Sequence, residues 1–305
     1  MRSSSVKTGR CKKFKNAALI SLAALTGLMF CGCSGINADR RSSGVSEPLK
    51  ESRIMDLSVK SNYMGREMPC KIYLPKGYGD KKDYPVWYGL HGYGSNESMW
   101  IDKGIAGTAD ELIDNGGIEP VIMVFPYTRD ATLKEISKDV EDDGKLDERN
   151  MDQFLSKELV PYIDAHYRTV TSSDGRYIGG FSMGGMIALR IAFHHPDLFS
   201  KVGGYSPAVV SSDYSDKQLE KWLFPNENTD EITDIVKYDK KKGLDKLNVY
   251  LDCGGANDPF TVGIQSLYDA LQKRGIKSEI HLMDGGHTLR QASEKDYLKF
   301  YTAKD

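Results

Sequence analysis

The chain has 305 residues, 40% of them hydrophobic and 28% charged, with a formal net charge of −2. That composition excludes a polytopic membrane protein and a chain too charged to fold, and five cysteines are too few for a disulfide-stapled mini-scaffold. The near-neutral total divides unevenly: residues 1–32 hold six cations and no acid, so the remainder stands at −8 and nucleic acid is not expected as a partner.

Arg2, Lys7, Arg10, Lys12, Lys13 and Lys15 precede Ala17–Phe30, fourteen apolar or small residues. Cations followed by a short greasy run is the order of a secretory signal, and the run is short of the roughly 20 residues a spanning helix needs. Phe30-Cys31-Gly32-Cys33 then resembles a bacterial lipobox, with Gly32 as the small residue before a lipidated Cys33. Phe30, where such motifs usually carry Leu, departs from the pattern. The expectation is a signal peptide over 1–32, then a lipidated Cys33 and a flexible polar tether over 33–50. The protein would sit outside a bacterial cell, touching the membrane through the lipid alone. Cleavage to a freely secreted form and an uncleaved anchor are the alternatives.

Residues 51–305 suit one catalytic α/β domain. Arg53–Asn62 and Glu67–Leu74 alternate about a Tyr63–Arg66 turn and predict an antiparallel hairpin. Pro85–Leu90 and Pro120–Phe125 read as buried strands, with a helix over Ile105–Asp114 between them. Asn150–Tyr167 carries an apolar stripe of Phe154, Leu155, Leu159, Ile163 and Tyr167, which predicts an amphipathic helix. Strand Arg176–Phe181, helix Met183–His194, strands Ser200–Tyr205 and Leu247–Cys253, helix Thr261–Arg274, strand Lys277–Met283 and helix Leu289–Thr302 complete the order. A hairpin followed by alternating strands and helices predicts a mostly parallel central sheet with helices on both faces. Cys70 and Cys253 fall in apolar runs and read as buried free thiols.

Gly180-Phe181-Ser182-Met183-Gly184 stands where a strand turns into a helix. A sharp turn there lifts a serine above the sheet edge and demands small residues on either side. A serine hydroxyl needs a base, and the base an orienting carboxylate. Of the histidines after Ser182, His194 and His195 end its own helix, and His281 lies inside a strand. His287 follows Asp284-Gly285-Gly286 just past that strand and is the expected base. Asp258, in the loop beyond Leu247–Cys253, is the first choice of acid; Asp252 and Asp284 are alternatives. The oxyanion donors are expected to be the backbone N–H of Met183 and that of Tyr93 in Leu90-His91-Gly92-Tyr93-Gly94, with Gly92 as second choice. His91 reads as a brace of that loop.

These segments resemble the esterase D and feruloyl esterase branch of the α/β-hydrolase superfamily, from about residue 52 to 303. The resemblance rests on the 90–94 loop, Trp100-Ile101-Asp102-Lys103-Gly104, Gly179–Gly185, Asp252-Cys253-Gly254 with Asp258, and Gly286-His287. It implies an α/β-hydrolase fold and carboxylester hydrolysis by Ser182, His287 and Asp258 through an acyl-enzyme, without a cofactor. The branch includes feruloyl and acetylxylan esterases, S-formylglutathione hydrolases, siderophore esterases and mycolyltransferases. Export argues against an intracellular thioester as substrate and favours feruloyl or acetyl side chains of a plant polysaccharide such as xylan. An acyltransferase, a small-ester hydrolase and a non-catalytic surface binding protein remain alternatives. Tyr93, Trp100, Tyr127, Tyr205 and Phe260, with Gly92, are the expected substrate-binding residues.

No metal is expected. Asp139–Asp147 partly matches a calcium loop, but Glu141 and Asn150 stand at its third and twelfth positions, and a solvated acidic loop is the simpler reading. No His/Cys cluster has zinc spacing.

Overall fold

The structure is a computed structural model that describes residues 47–80, 82–128, 148–209, 243–290 and 293–303. The expected signal peptide over 1–32, Cys33, the expected tether as far as residue 46 and the stretch 139–147 compared with a calcium loop lie outside the described residues.

β1 (Arg53–Ser61) and β2 (Arg66–Leu74) pair antiparallel, joined by a turn in which Gly65 takes φ +68°. β3 (Val86–Leu90), β4 (Ile122–Pro126), β5 (Arg176–Phe181), β6 (Lys201–Tyr205), β7 (Asn248–Cys253) and β8 (Ser278–Leu282) complete an eight-stranded sheet in the order 1-2-4-3-5-6-7-8. β2 meets β4 antiparallel, and every pairing from β4 across to β8 is parallel. The expected hairpin and mostly parallel sheet are therefore both present.

Every residue of β3 and of β4 is buried, because each face of these strands is covered. Strand periodicity sends alternate side chains to opposite faces. Val86, Tyr88, Leu90, Ile122, Val124 and Ile178 join a largely aliphatic core. Trp87, Met123, Phe125 and Tyr177 join a second, aromatic core on the other face. Full burial of each such side chain contributes roughly 1.5–3 kcal/mol.

The aliphatic face is covered by three helical segments. These are α3 (Glu148–Gln153, Phe154–Leu159 and Val160–His166), α4 (Met183–His194) and α5 (Thr261–Lys273). The aromatic face is covered by α1 (Met99–Asp102), α2 (Ile105–Asp114) and α6 (Glu294–Thr302). There Trp87 stacks on Tyr301, and Tyr205 stacks on Tyr297.

Three local differences from the sequence reading have physical causes. The middle of α3, Phe154–Leu159, is a π-helix. Pro161 has no N–H to give and its ring crowds the carbonyl four residues earlier, so a wider turn accommodates it. The last helix begins at Glu294 rather than Leu289, because Arg290 donates to the carbonyls of Asp284, Gly286 and Thr288 and holds that stretch as a loop. The four-residue α1 is too short to leave a periodic signature. Cys70 and Cys253 are buried and unpaired, as expected.

His194 and His195, at the end of α4, both meet Asp152 of α3, at 3.0 and 2.6 Å. Burial pushes the Asp152 carboxyl up, but the two imidazoles outweigh it and hold the carboxyl well below its usual range. A depressed carboxylate stabilises the fold above its unfolded value near pH 4, and that stabilisation is lost as pH falls through the folded value. Asp152→Asn is therefore expected to cost roughly 1–3 kcal/mol at pH 7. In denaturant titrations across pH, the gap to wild type should narrow below about pH 4; a gap constant from pH 3 to 8 would refute the assignment.

Candidate active site

The parallel strands aim their carboxyl ends at one edge, and the loops leaving that edge carry the candidate site. Ser182 ends β5 and begins α4 with φ +55° and ψ −117°, a conformation L residues rarely adopt. The turn is possible because glycines surround it. A Cβ on Gly184 would lie 2.5 Å from the His91 carbonyl oxygen, and one on Gly185 would lie 2.7 Å from the Gly180 oxygen. The strained serine is pinned on both sides. Its N–H donates to the Tyr205 carbonyl at 2.9 Å, and its carbonyl accepts from Met186 and Ala208 at 3.0 Å each. Ser182 is largely buried, 9% exposed.

His287 lies in the loop after β8, with Nε2 2.9 Å from the Ser182 Oγ. Its ring is packed between two phenylalanines. Phe181 stacks on it at 5.1 Å and Phe260 meets it edge-on at 5.0 Å. On the far side Nδ1 is 3.2 Å from Asp258 Oδ1, short of hydrogen-bond alignment and with no other partner among the described residues. Such links tighten when substrate is bound.

The Asp258 side chain is wholly buried. Its Oδ2 accepts from the Gly254 N–H and its Oδ1 from the Phe260 N–H, each at 3.1 Å. Burial pushes this carboxyl up, but the nearby Ser206 hydroxyl, those two N–H groups and His287 outweigh it and hold it below its usual range. The charge that would face an imidazolium is thus kept in place. Of the alternatives, Asp252 is inside β7 and is taken up by the Tyr297 hydroxyl at 2.6 Å and the Ser206 N–H at 2.8 Å. Burial pushes its carboxyl up to about 6. Asp284 has its backbone carbonyl bound to Arg290. Neither makes a hydrogen bond or ion pair with His287 among the described residues.

The loops that carry Asp258 and His287 are joined backbone to backbone. Gly286 N–H donates to the Gly254 carbonyl at 3.1 Å, and Met283 N–H to that of Cys253 at 2.8 Å. Gly254 touches Gly286 so closely that a Cβ would overlap the Gly286 oxygen.

For an oxyanion, Met183 is the first residue of α4, so its N–H has no intrahelical acceptor. The Tyr93 N–H makes no hydrogen bond among the described residues, whereas Gly92, the second choice, gives its N–H to Met99 Sδ at 3.5 Å. The loop is braced by His91. Its Nε2 accepts from the Thr128 N–H at 3.1 Å, which leaves Nδ1–H to donate to the Gly92 carbonyl at 2.8 Å. Burial lowers the tendency of this histidine to take a second proton.

The expected substrate residues separate into two groups. Tyr93 is 41% exposed; Tyr127 and Phe260 are half-buried, Tyr127 against the His91 ring and Phe260 against that of His287. Trp100 and Tyr205 are corrections. Both are fully buried in the aromatic core, with Trp100 donating to the Leu90 carbonyl and Tyr205 to the Tyr301 hydroxyl, so neither offers a face to a ligand. Phe181, Arg290 and Thr128 were not foreseen. Phe181 sits inside the serine motif and only its position next to Ser182 could have marked it; the other two carry no sequence signal. Among the described residues no group of three or more His, Cys, Asp or Glu could hold a metal ion.

The family model described as "Putative esterase" matches residues 61–292. The chain is 29% identical over 266 residues to an endo-1,4-beta-xylanase/feruloyl esterase of Xylanibacter ruminicola, a match that covers 81% of this chain and 32% of that protein. It is 26% identical over 214 residues to endo-1,4-beta-xylanase Y of Acetivibrio thermocellus, covering 66% and 18%. The chain thus spans a third or less of the length of these relatives. A solved ferulic acid esterase superposes with a TM-score of 0.66 at 23% identity over 83% of this chain and 98% of that one, and the fold is that of an α/β-hydrolase.

Gly254→Ala should force the acid and base loops apart. We expect a folded protein whose ester turnover falls at least about 100-fold, as small misplacements of reacting groups do. Gly107→Ala, in α2 with open space around it, is the control and should stabilise by roughly 0.5–1 kcal/mol. Thermal melts and p-nitrophenyl acetate assays read both; equal turnover in Gly254→Ala would contradict the need for contact.

Proposed function

This chain belongs to the Esterase family, and from that premise we propose that it is a carboxylester hydrolase, an extracellular, lipid-tethered serine esterase that removes feruloyl or acetyl side chains from plant polysaccharide such as xylan. The observation that carries the reading is the relay from Ser182 Oγ through His287 to the buried Asp258. Ser182 attacks the ester carbonyl while His287 Nε2 takes its proton. Asp258 orients the ring and stabilises the imidazolium. The N–H groups of Met183 and Tyr93 hold the oxyanion of the tetrahedral intermediate. His287 then protonates the departing alcohol, which leaves Ser182 acylated. Water deprotonated by His287 attacks the acyl-enzyme, releases the acid and restores the serine.

The substrate class is supported by the xylanase/feruloyl esterase relative and by the half-open aromatic rings of Tyr93, Tyr127 and Phe260, which suit a planar acyl group or a sugar face. Residues 1–33 support export and lipidation.

Ser182→Ala should keep its fold and lose p-nitrophenyl acetate hydrolysis by a factor on the order of 10⁴–10⁶; undiminished turnover would end the hypothesis. Methyl ferulate and acetylated xylan, assayed side by side, decide the acyl group. Metabolic labelling with a fatty acid should mark wild type and not Cys33→Ala, and equal labelling of both would sink the lipid anchor.

A further inference from the structure

We propose that Arg290 is a positioning residue for the base, its guanidinium clamping the loop after β8 so that His287 stands in line between Ser182 and Asp258. The proposal rests on the reading of His287 as the catalytic base and adds to it the side chain that keeps its backbone in place.

The loop needs a clamp. Gly285 and Gly286 precede His287 with φ +101° and +72°. Glycine gives up more backbone freedom on ordering than any other residue, and here two stand in succession next to a reacting group. β8 ends at Leu282, and α6 does not begin until Glu294. Among the described residues, the one backbone-to-backbone hydrogen bond made by 284–289 runs from the Gly286 N–H to the Gly254 carbonyl at 3.1 Å.

Arg290 supplies further bonds from its side chain. Nε donates to the Asp284 carbonyl at 2.8 Å, Nη2 to the Gly286 carbonyl at 2.6 Å and Nη1 to the Thr288 carbonyl at 3.3 Å. A guanidinium is planar and always charged, and its donors sit in a rigid fork, so one side chain can hold three oxygens at once. Two of these oxygens bracket His287. The bond to Gly286 fixes the peptide that joins Gly286 to His287, and the bond to Thr288 fixes the peptide two further on. Gly286 is thereby held at both of its polar atoms, its N–H by the acid loop and its carbonyl by Arg290. The guanidinium also lies against the acid loop, since a Cβ on Gly254 would meet Nη2 at 2.6 Å. Gly254 is the residue whose N–H holds Asp258 Oδ2.

The chemistry needs this because His287 works at two distances together, 2.9 Å to Ser182 Oγ and 3.2 Å to Asp258 Oδ1. Phe181 and Phe260 restrain the tilt of the ring. Where the ring stands along the line from serine to acid is set by its Cα, and thus by the pinned peptides. Arg290 acts as well on the Asp252 carboxyl through its charge, so the test must part charge from fork.

Arg290→Ala removes both, and Arg290→Lys keeps the charge without the fork. In folded Arg290→Ala, kcat for p-nitrophenyl acetate and the rate of fluorophosphonate labelling of Ser182 should fall roughly tenfold with KM little changed, as loosened reacting groups require. Arg290→Lys should also fall short of wild type. Methylguanidinium should restore part of both rates to Arg290→Ala in a saturable way, and methylammonium at equal ionic strength should not. Amide hydrogen exchange at Gly286, read by NMR without substrate, should quicken in Arg290→Ala and slow again with methylguanidinium. Wild-type rates in both variants would overturn the proposal, and so would a raised KM with kcat intact, which would make Arg290 a substrate contact. Full activity in Arg290→Lys would assign the effect to charge and overturn the clamp. A lowered melting temperature with no rescue by methylguanidinium would assign Arg290 to stability alone, with the same result. If wild type hydrolyses no carboxylic ester while Gly286 exchange still follows Arg290, the esterase reading falls and the clamp on the loop stands.

Discussion

The approach of three glycine backbones around Ser182 is the constraint on which the site depends. The strand must end, reverse and enter a helix within one residue, and only hydrogen atoms at 180, 184 and 185 leave space for that. Ser182 bears a backbone conformation that costs of order 1–3 kcal/mol. The neighbouring strand and loop sustain it by binding both its N–H and its carbonyl. The same tight turn makes Met183 the first residue of α4, whose N–H has no intrahelical acceptor. Strain, the proposed nucleophile and one proposed oxyanion donor are therefore products of a single turn.

The sheet brings the remaining groups to that turn. β5 delivers the proposed nucleophile, β7 the proposed acid, β8 the proposed base and β3 the proposed second oxyanion donor, all at the same edge because the strands are parallel. The loops that follow β7 and β8 touch through glycines, so Asp258 and His287 sit on directly bonded stretches of backbone. Ser182 sits on a separate stretch, joined to these across the Phe181–His287 stack and through Ser206.

Much of this was legible in the residues. Apolar runs of strand length, broken by helices with defined ends, gave the strands and their parallel pairing, and the serine motif gave the elbow. Chain order and loop position singled out Asp258 and His287. What stayed hidden was decided in three dimensions. Trp100 and Tyr205 occupy loop and strand-end positions near the site in sequence, yet their rings turn inward to the aromatic core, because a large ring gains more from burial than from lining a rim. The π-helical stretch before Pro161 and the arginine-held loop before α6 follow from contacts between residues that no periodicity records.

The division of the core into an aliphatic and an aromatic face has an optical consequence. Trp87 and Trp100 lie in contact on the aromatic face, 5.1 Å apart between ring centres, and the third tryptophan, Trp222, is outside the described residues. Fluorescence from Trp87 and Trp100, read in a Trp222→Phe background, therefore views the layer of α1, α2 and α6 and not that of α3, α4 and α5. A helix-sensitive signal views both. Recorded together, the two spectra give this protein a built-in way of seeing which side of its sheet loosens first.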